Sequence, residues 1–205
     1  SAGAGFGTSG EVLEFGVREN NYLGKGLSLN SSLALSSTKI NGNLNVINPN
    51  YNNSDKSLTF GLQALENDRL SSFGYKSSKY GTSIGTNFEY LEDFNLGVST
   101  SAFLEKITTS SAASARQRSQ AGNYFDNYVN LRFDYDKRNQ KYKTTEGFRS
   151  IYDLGLPLIS DKNTMTNTYN YKYFSELYEN NISTFSFGLS SATSLTNDDI
   201  KLSER

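Results

Sequence analysis

The chain has 205 residues, with 20 lysines and arginines against 21 aspartates and glutamates, and it contains no cysteine, histidine or tryptophan. The balanced charge excludes nucleic-acid affinity driven by a basic surface. Without cysteine there is no disulfide framework, thiolate metal site or cysteine nucleophile, and without histidine there is no Ser-His-Asp triad and no usual zinc ligand. Hydrophobic residues are only 36% of the chain, yet there are 14 tyrosines and 13 phenylalanines. Disordered chains are poor in aromatics; low hydrophobicity with many rings fits strands that are apolar on one face and polar on the other. No apolar run approaches the ~20 residues of a membrane helix, so a membrane role would fall to strands.

Taken in chain order, a short glycine-rich strand is expected first, at Ala2, Gly3, Ala4, Gly5, Phe6 and Gly7. Ten longer strands follow by period-two alternation. Leu13, Phe15 and Val17 oppose Glu14, Gly16 and Arg18, and Leu27, Leu29, Leu33 and Leu35 oppose Ser28, Asn30, Ser32 and Ser36. Ile40, Leu44 and Val46 face away from three asparagines, and Leu58, Phe60, Leu62 and Ala64 from Thr59, Gly61 and Gln63. The same pattern recurs around Tyr80 to Tyr90, Phe94 to Leu104, Val129 to Tyr135, Tyr152 to Leu158, Met165 to Tyr173 and Phe185 to Leu189. Each strand reads as about 9–13 residues, near the ~9–11 of a tilted membrane strand. A polar face of Gly, Ser, Asn and charge with few large side chains suits a water-filled lumen. An apolar face ending in Tyr and Phe suits a lipid-facing wall. The expected fold is all-β, an antiparallel transmembrane β-barrel.

The connections fall into two alternating sets. One holds Asn20 to Lys25, Asn48 to Lys56, Leu91 to Asp93, Arg138 to Glu146 and Tyr178 to Asn180. The other holds Thr8 to Gly10, Ser37 to Lys39, Asp68 to Lys79, Lys106 to Asn123 and Ser160 to Asn163, including the two longest, and is expected to face outside. The low-complexity run Thr108 to Ser119 reads as a mobile external loop. Asn197-Asp198-Asp199 lacks the spacing of a calcium loop and reads as solvated.

Several short patterns now align. Gly5-Phe6-Gly7-Thr8-Ser9-Gly10-Glu11 is followed by Glu14 to Gly26, which includes Asn21-Tyr22-Leu23-Gly24-Lys25-Gly26. This resembles the start of the BamA barrel family, with G-Y-G-T-x-x-G, a strand and D/E-x-N-(W/F/Y)-L-G-x-G at the first periplasmic turn. Asn48-Pro49-Asn50-Tyr51 is similar to the family's N-P-Y-F with one residue inserted. Asp136-Lys137-Arg138-Asn139 with Thr144-Thr145-Glu146-Gly147 is similar to D-x-R-N-x-x-x-P-T-x-G, with Thr144 where proline is expected. The resemblance implies a sixteen-stranded outer-membrane barrel of which residues 1–205 form a part, about eleven strands. POTRA domains would precede Ser1, and an external loop with a (V/I)-R-G-(F/Y) motif would follow Arg205. The chain opens without a methionine or an apolar leader and closes on a polar segment, in keeping with a piece of a longer protein.

What the resemblance implies about function is assembly of other outer-membrane proteins, by strand templating at a lateral seam. The seam residues would be Ala2, Gly3, Ala4, Gly5, Phe6 and Gly7. The turn motifs would be carried by Asn21, Tyr22, Leu23, Gly24, Gly26, Asp136, Arg138, Asn139 and Gly147. No catalytic residue, metal or cofactor is implied. The partners would be unfolded outer-membrane proteins, assembly-complex lipoproteins and outer-membrane lipid, with no nucleic acid, and the location the bacterial outer membrane. Glu14 and Arg18, on one face, are candidates to hold the external loop's arginine; lumen-solvated charges are the plain alternative. Gly3, Gly5 and Gly7 suit either a weak, releasable strand or a tight barrel corner. Asp136 and Arg138 form either a local turn pair or a tie to the barrel or a partner. The competing functions are a related transporter (autotransporter assembly or two-partner secretion), a passive porin, a histidine-dependent outer-membrane enzyme, and a soluble or fibrous β protein.

Overall fold

A computed structural model of the chain describes residues 2–7, 10–179, 181–196 and 200–201. The calls on Thr8, Ser9, Asn180 and Asn197 to Asp199 therefore lie outside the described residues. Eleven strands form one sheet: β1 (Ala2–Gly7), β2 (Gly10–Tyr22), β3 (Leu27–Ser36), β4 (Lys39–Asn48), β5 (Ser57–Arg69), β6 (Tyr75–Leu91), β7 (Phe94–Thr109), β8 (Gly122–Asp136), β9 (Gly147–Ser160), β10 (Thr164–Tyr178) and β11 (Asn181–Ser194). Their spatial order is their chain order, and every neighbouring pair is antiparallel. This is the up-and-down arrangement that short hairpin connections produce.

The register carries the alternation across the sheet. Gly42, Ala64, Tyr80, Leu104 and Phe125 lie in one row across β4 to β8, and Val46, Phe60, Ile84, Thr100 and Val129 in another. These rows share one face, and no second layer covers it. Val17 is 59% exposed, Leu104 64% and Leu189 60%. Among the described residues the buried hydrophobic side chains are only Ile107, Ala113 and Tyr128. A soluble sandwich would bury its apolar rows against another sheet; this sheet leaves them bare, as a wall bathed in lipid does.

At one end of that face the rings merge into a belt. Phe94 lies 6.4 Å from both Phe133 and Tyr135, and Phe133 stacks 6.1 Å from Tyr152. Tyr135 meets Phe148 edge-on at 5.6 Å, and Phe148 reaches Tyr171 at 5.8 Å. A girdle of this kind marks the level of a membrane interface.

Three expectations need correction. First, Asp68 to Lys79 is not a long loop. β5 runs to Arg69, Leu70–Phe73 make one helical turn, and β6 starts at Tyr75. The polar residues there are strand residues beyond the apolar band, joined by Lys76 to Glu66 at 2.6 Å and Ser78 to Glu66 at 3.1 Å. Strands of 17 and 16 residues in β6 and β7 thus exceed the expected length, because alternation measures the lipid-spanning part alone. Second, Thr108 to Ser119 is built structure. Thr108 and Thr109 belong to β7, and Ala115–Arg118 form a helical turn under a capping box between Ser114 and Gln117. Third, the polar face is not uniformly small. Ile107, Tyr124 and Tyr128 project from it, and Ile107 and Tyr128 are buried there.

β9 contains Pro157. The register slips between Asn127 and Tyr128, where Tyr128 opposes Pro157, so the missing amide falls at an irregularity.

Gly147 supports a sharper test. Its φ is +99°, and a Cβ there would meet the Lys137 carbonyl oxygen at 2.1 Å. Gly3, by contrast, has open space around it. Gly147→Ala is expected to lower the midpoint of heat-modifiable migration in detergent, with a loss of about 1–3 kcal/mol. Gly3→Ala should leave that midpoint within experimental scatter.

Candidate functional site

The predicted seam strand opens the sheet. β1 pairs with β2 from Ala2 opposite Phe15 to Gly7 opposite Gly10. Among the described residues no ladder joins β1 to β11. The predicted seam residues, Ala2 to Gly7, all lie on β1.

The turn motifs sit together at the girdle end. Asn21 organises the first: its Oδ1 accepts from the Gly26 amide at 2.7 Å, and its carbonyl accepts from the Gly24 amide at 3.0 Å. The Glu19 carboxylate in turn accepts from the Asn21 amide at 2.9 Å. Gly24 and Gly26 have φ of +67° and +68°, where a Cβ is disfavoured. Leu23 shares the left-handed region and projects into solvent, as does Tyr22. Neither ring nor isobutyl group is part of the turn's bonding.

The second motif is a charge network. Arg138 donates to both oxygens of Asp136, from Nε and Nη2, each at 2.7 Å. Arg149 does the same to Asp134, at 2.9 and 2.6 Å, and its Nε stands 3.8 Å from Asp136. Bidentate pairing fixes direction as well as distance, and the Asp136–Arg138 side chains are only 12% and 14% exposed. The Asp136 hydrogen bond raises the Arg138 guanidinium above its ordinary range. Asn139 closes the loop: its amide donates to the Glu146 carbonyl at 3.1 Å, and its Oδ1 accepts from the Thr145 amide at 3.2 Å. Asp136 and Arg138 are thus both a local pair and, through Arg149, a tie to the next strand.

The opposite end holds a cluster that alternation hides. After β11 the chain turns back over the polar face: the Leu195 amide donates to Asn163 O at 2.8 Å, and Ile200 lies against Thr166, Thr168 and Ser190. Lys201 is 1% exposed. Its ammonium contacts Asp126 and stands 3.3 Å from Glu105, both carboxylates being fully buried. The Tyr124 ring lies 5.5 Å from Nζ, and Gln120 Nε2 donates to Ile200 O at 3.4 Å. Glu14 and Arg18, the candidates for the arginine of a loop beyond Arg205, are exposed. Glu105 and Asp126 hold a different cation, Lys201. Their signal was weak because a single acid on a polar strand face reads as solvated.

One edge-bounded, single-layer antiparallel sheet with a bare apolar face and an aromatic girdle defines a segment of an outer-membrane β-barrel wall. Residues 21–205 match the Omp85 superfamily domain, and the chain belongs to that superfamily, a group of barrels that assemble or transport proteins without enzymatic chemistry. The crystal structure of BamA from Haemophilus ducreyi lacking POTRA domains 1–3 has the same fold, with a TM-score of 0.73 and 21% identity. The alignment covers 94% of this chain and 40% of that one, so the chain spans less than half of the length of that relative. No curated protein sequence matches. Family and fold place the wall in the bacterial outer membrane.

The lumen cluster is testable alone. Lys201→Met would leave two buried carboxylates without their cation, weakening the returning segment by about 3–5 kcal/mol. Limited proteolysis just after β11 should accelerate, and adding Glu105→Gln with Asp126→Asn should restore most protection. Unchanged cleavage in the single variant would rule out the cluster as the anchor.

Proposed function

We propose that this chain is the first part of a barrel that inserts and folds other outer-membrane proteins, with β1 as the templating edge. The girdle end, with its turn motifs, faces the periplasm, and the end where β5 to β8 project past the apolar band faces outside. What supports the reading is the superfamily match over residues 21–205 together with the fold shared with the BamA barrel. Each unpaired backbone group in hydrocarbon costs several kcal/mol. A seam strand held by few hydrogen bonds exchanges partners more readily than a fully paired one. An arriving client strand then gains an ordered ladder by adding to that edge.

The residues frame this role without chemistry of their own. The Asn21 turn and the Asp134–Asp136–Arg138–Arg149 network hold the periplasmic rim while the edge opens. The clients are unfolded outer-membrane proteins; assembly lipoproteins and domains before the barrel would deliver them. The related reading, a transporter for autotransporter assembly or two-partner secretion, shares the superfamily and uses the same edge. A passive porin fits less well, because the lumen at the outer end is occupied by Ile107, Tyr128 and the Lys201 cluster.

A cysteine at Ala4 in the full-length protein should crosslink to the last strand of a client barrel stalled during insertion. The same substitution at Ile84, in the middle of β6, should give none. Equal crosslinking at both positions, or none at Ala4 when the seam is free to open, would remove β1 as the template.

A further inference from the structure

The connection 137–146 between β8 and β9 concentrates more positive charge than any other connection on this rim. It carries Lys137, Arg138, Lys141 and Lys143 against Glu146. Its neighbours carry Glu92 and Asp93 on one side and Glu176 and Glu179 on the other, while 49–56 balances Asp55 with Lys56. Two of the cations are engaged: Lys137 with Asp93 at 2.6 Å and Arg138 with Asp136. Lys141 and Lys143 are exposed and form no ion pair among the described residues. Between them Tyr142 is 79% exposed, the most exposed large hydrophobic side chain among the described residues.

This exposure belongs to a braced turn. Gln140 Nε2 donates to Lys143 O at 2.6 Å, and Thr144 Oγ1 donates to Gln140 O at 2.6 Å while Thr144 itself is buried. Lys143 has φ +53°, a conformation that a non-glycine residue adopts only when its surroundings hold it. A proline at 144 would drive residue 143 to extended backbone and undo this presentation. The turn therefore spends its internal bonds on pointing one ring and two ammonium groups away from the protein.

What lies beside it identifies the occupant. Tyr135 and Phe148, at the two feet of the turn, are girdle residues 5.6 Å apart, and the Lys137 ammonium stands 6.0 Å from the Tyr135 ring. The turn thus leaves the wall at the level where acyl chains give way to headgroups. Tyrosine with flanking lysines at that level matches a phospholipid surface, ring at the ester layer and ammonium groups at phosphate. We propose that Lys141, Tyr142 and Lys143 form a docking point for anionic phospholipid of the leaflet at this end of the barrel. The proposal rests on the barrel reading and is independent of strand templating at β1. The site would hold the rim at a fixed depth in the bilayer.

The test is native mass spectrometry of the full-length protein in detergent, titrated with phosphatidylglycerol or phosphatidylcholine. The wild type should retain phosphatidylglycerol preferentially. Each lysine near an anionic surface contributes roughly fivefold in affinity, so K141Q with K143Q should reduce that preference by about twenty-fivefold. K141R with K143R should keep it, and Y142S should weaken binding of both lipids. Heat-modifiable migration unchanged from wild type confirms that each variant is folded. An unaltered preference in the K141Q/K143Q protein overturns the site. So does full displacement of phosphatidylglycerol by an equal concentration of glycerol 3-phosphate, because the acyl chains and Tyr142 would then add nothing. Loss of a co-purifying acidic protein with lipid preference intact would assign the turn to a protein partner and also overturn the proposal. None of these readouts depends on client insertion, so they separate from the crosslinking test.

Discussion

The constraint behind this structure is that hydrocarbon offers no partner to a backbone N–H or C=O. Each strand must be paired on both sides, and one sheet can satisfy that rule everywhere except at its ends. The exposed apolar rows, the single layer and the meander order all follow from it.

The strands of this wall are tied to one another beyond their ladders. The two ends of the sheet do this differently. At the girdle end, Asp134, Asp136, Arg138 and Arg149 link β8, the turn and β9 by bidentate contacts that constrain angles as well as distances. At the other end, a returning segment is fastened across the polar face by one ammonium between two carboxylates. Both devices sit several strands away from β1.

Much of the architecture is legible in the residue pattern. Leu13, Phe15 and Val17, and the corresponding trios in later strands, announce the lipid face because a one-residue shift would turn every one of them inward. Gly24 and Gly26 adopt the positive φ that their type suits, and Asp136 pairs with Arg138 across the turn; Asn21, Asn139 and Gly147 are named by resemblance alone, and only the structure shows the bonds and the 2.1 Å approach that fix them. The failures have a common cause. Polar residues in Asp68 to Lys79 were read as loop because period two disappears once both faces of a strand are wet, although the ladder from Asp68 to Lys76 continues. Glu105, Asp126 and Lys201 were missed because nothing local distinguishes a buried lumen charge from a solvated one. That distinction is made by a segment 75 residues away.

That separation has a consequence for the order in which the wall assembles. Every strand pairing here joins chain neighbours through a short connection, so hairpins can form as soon as their two strands exist. The Lys201 contact to Asp126 spans the whole of β8 to β11, and it has no binding site until those strands have curved into place. It is therefore a late event, and a buried ammonium without its carboxylates is strongly disfavoured. A wall that does not bring Glu105 and Asp126 under the returning segment leaves Lys201 in water and that segment unfastened.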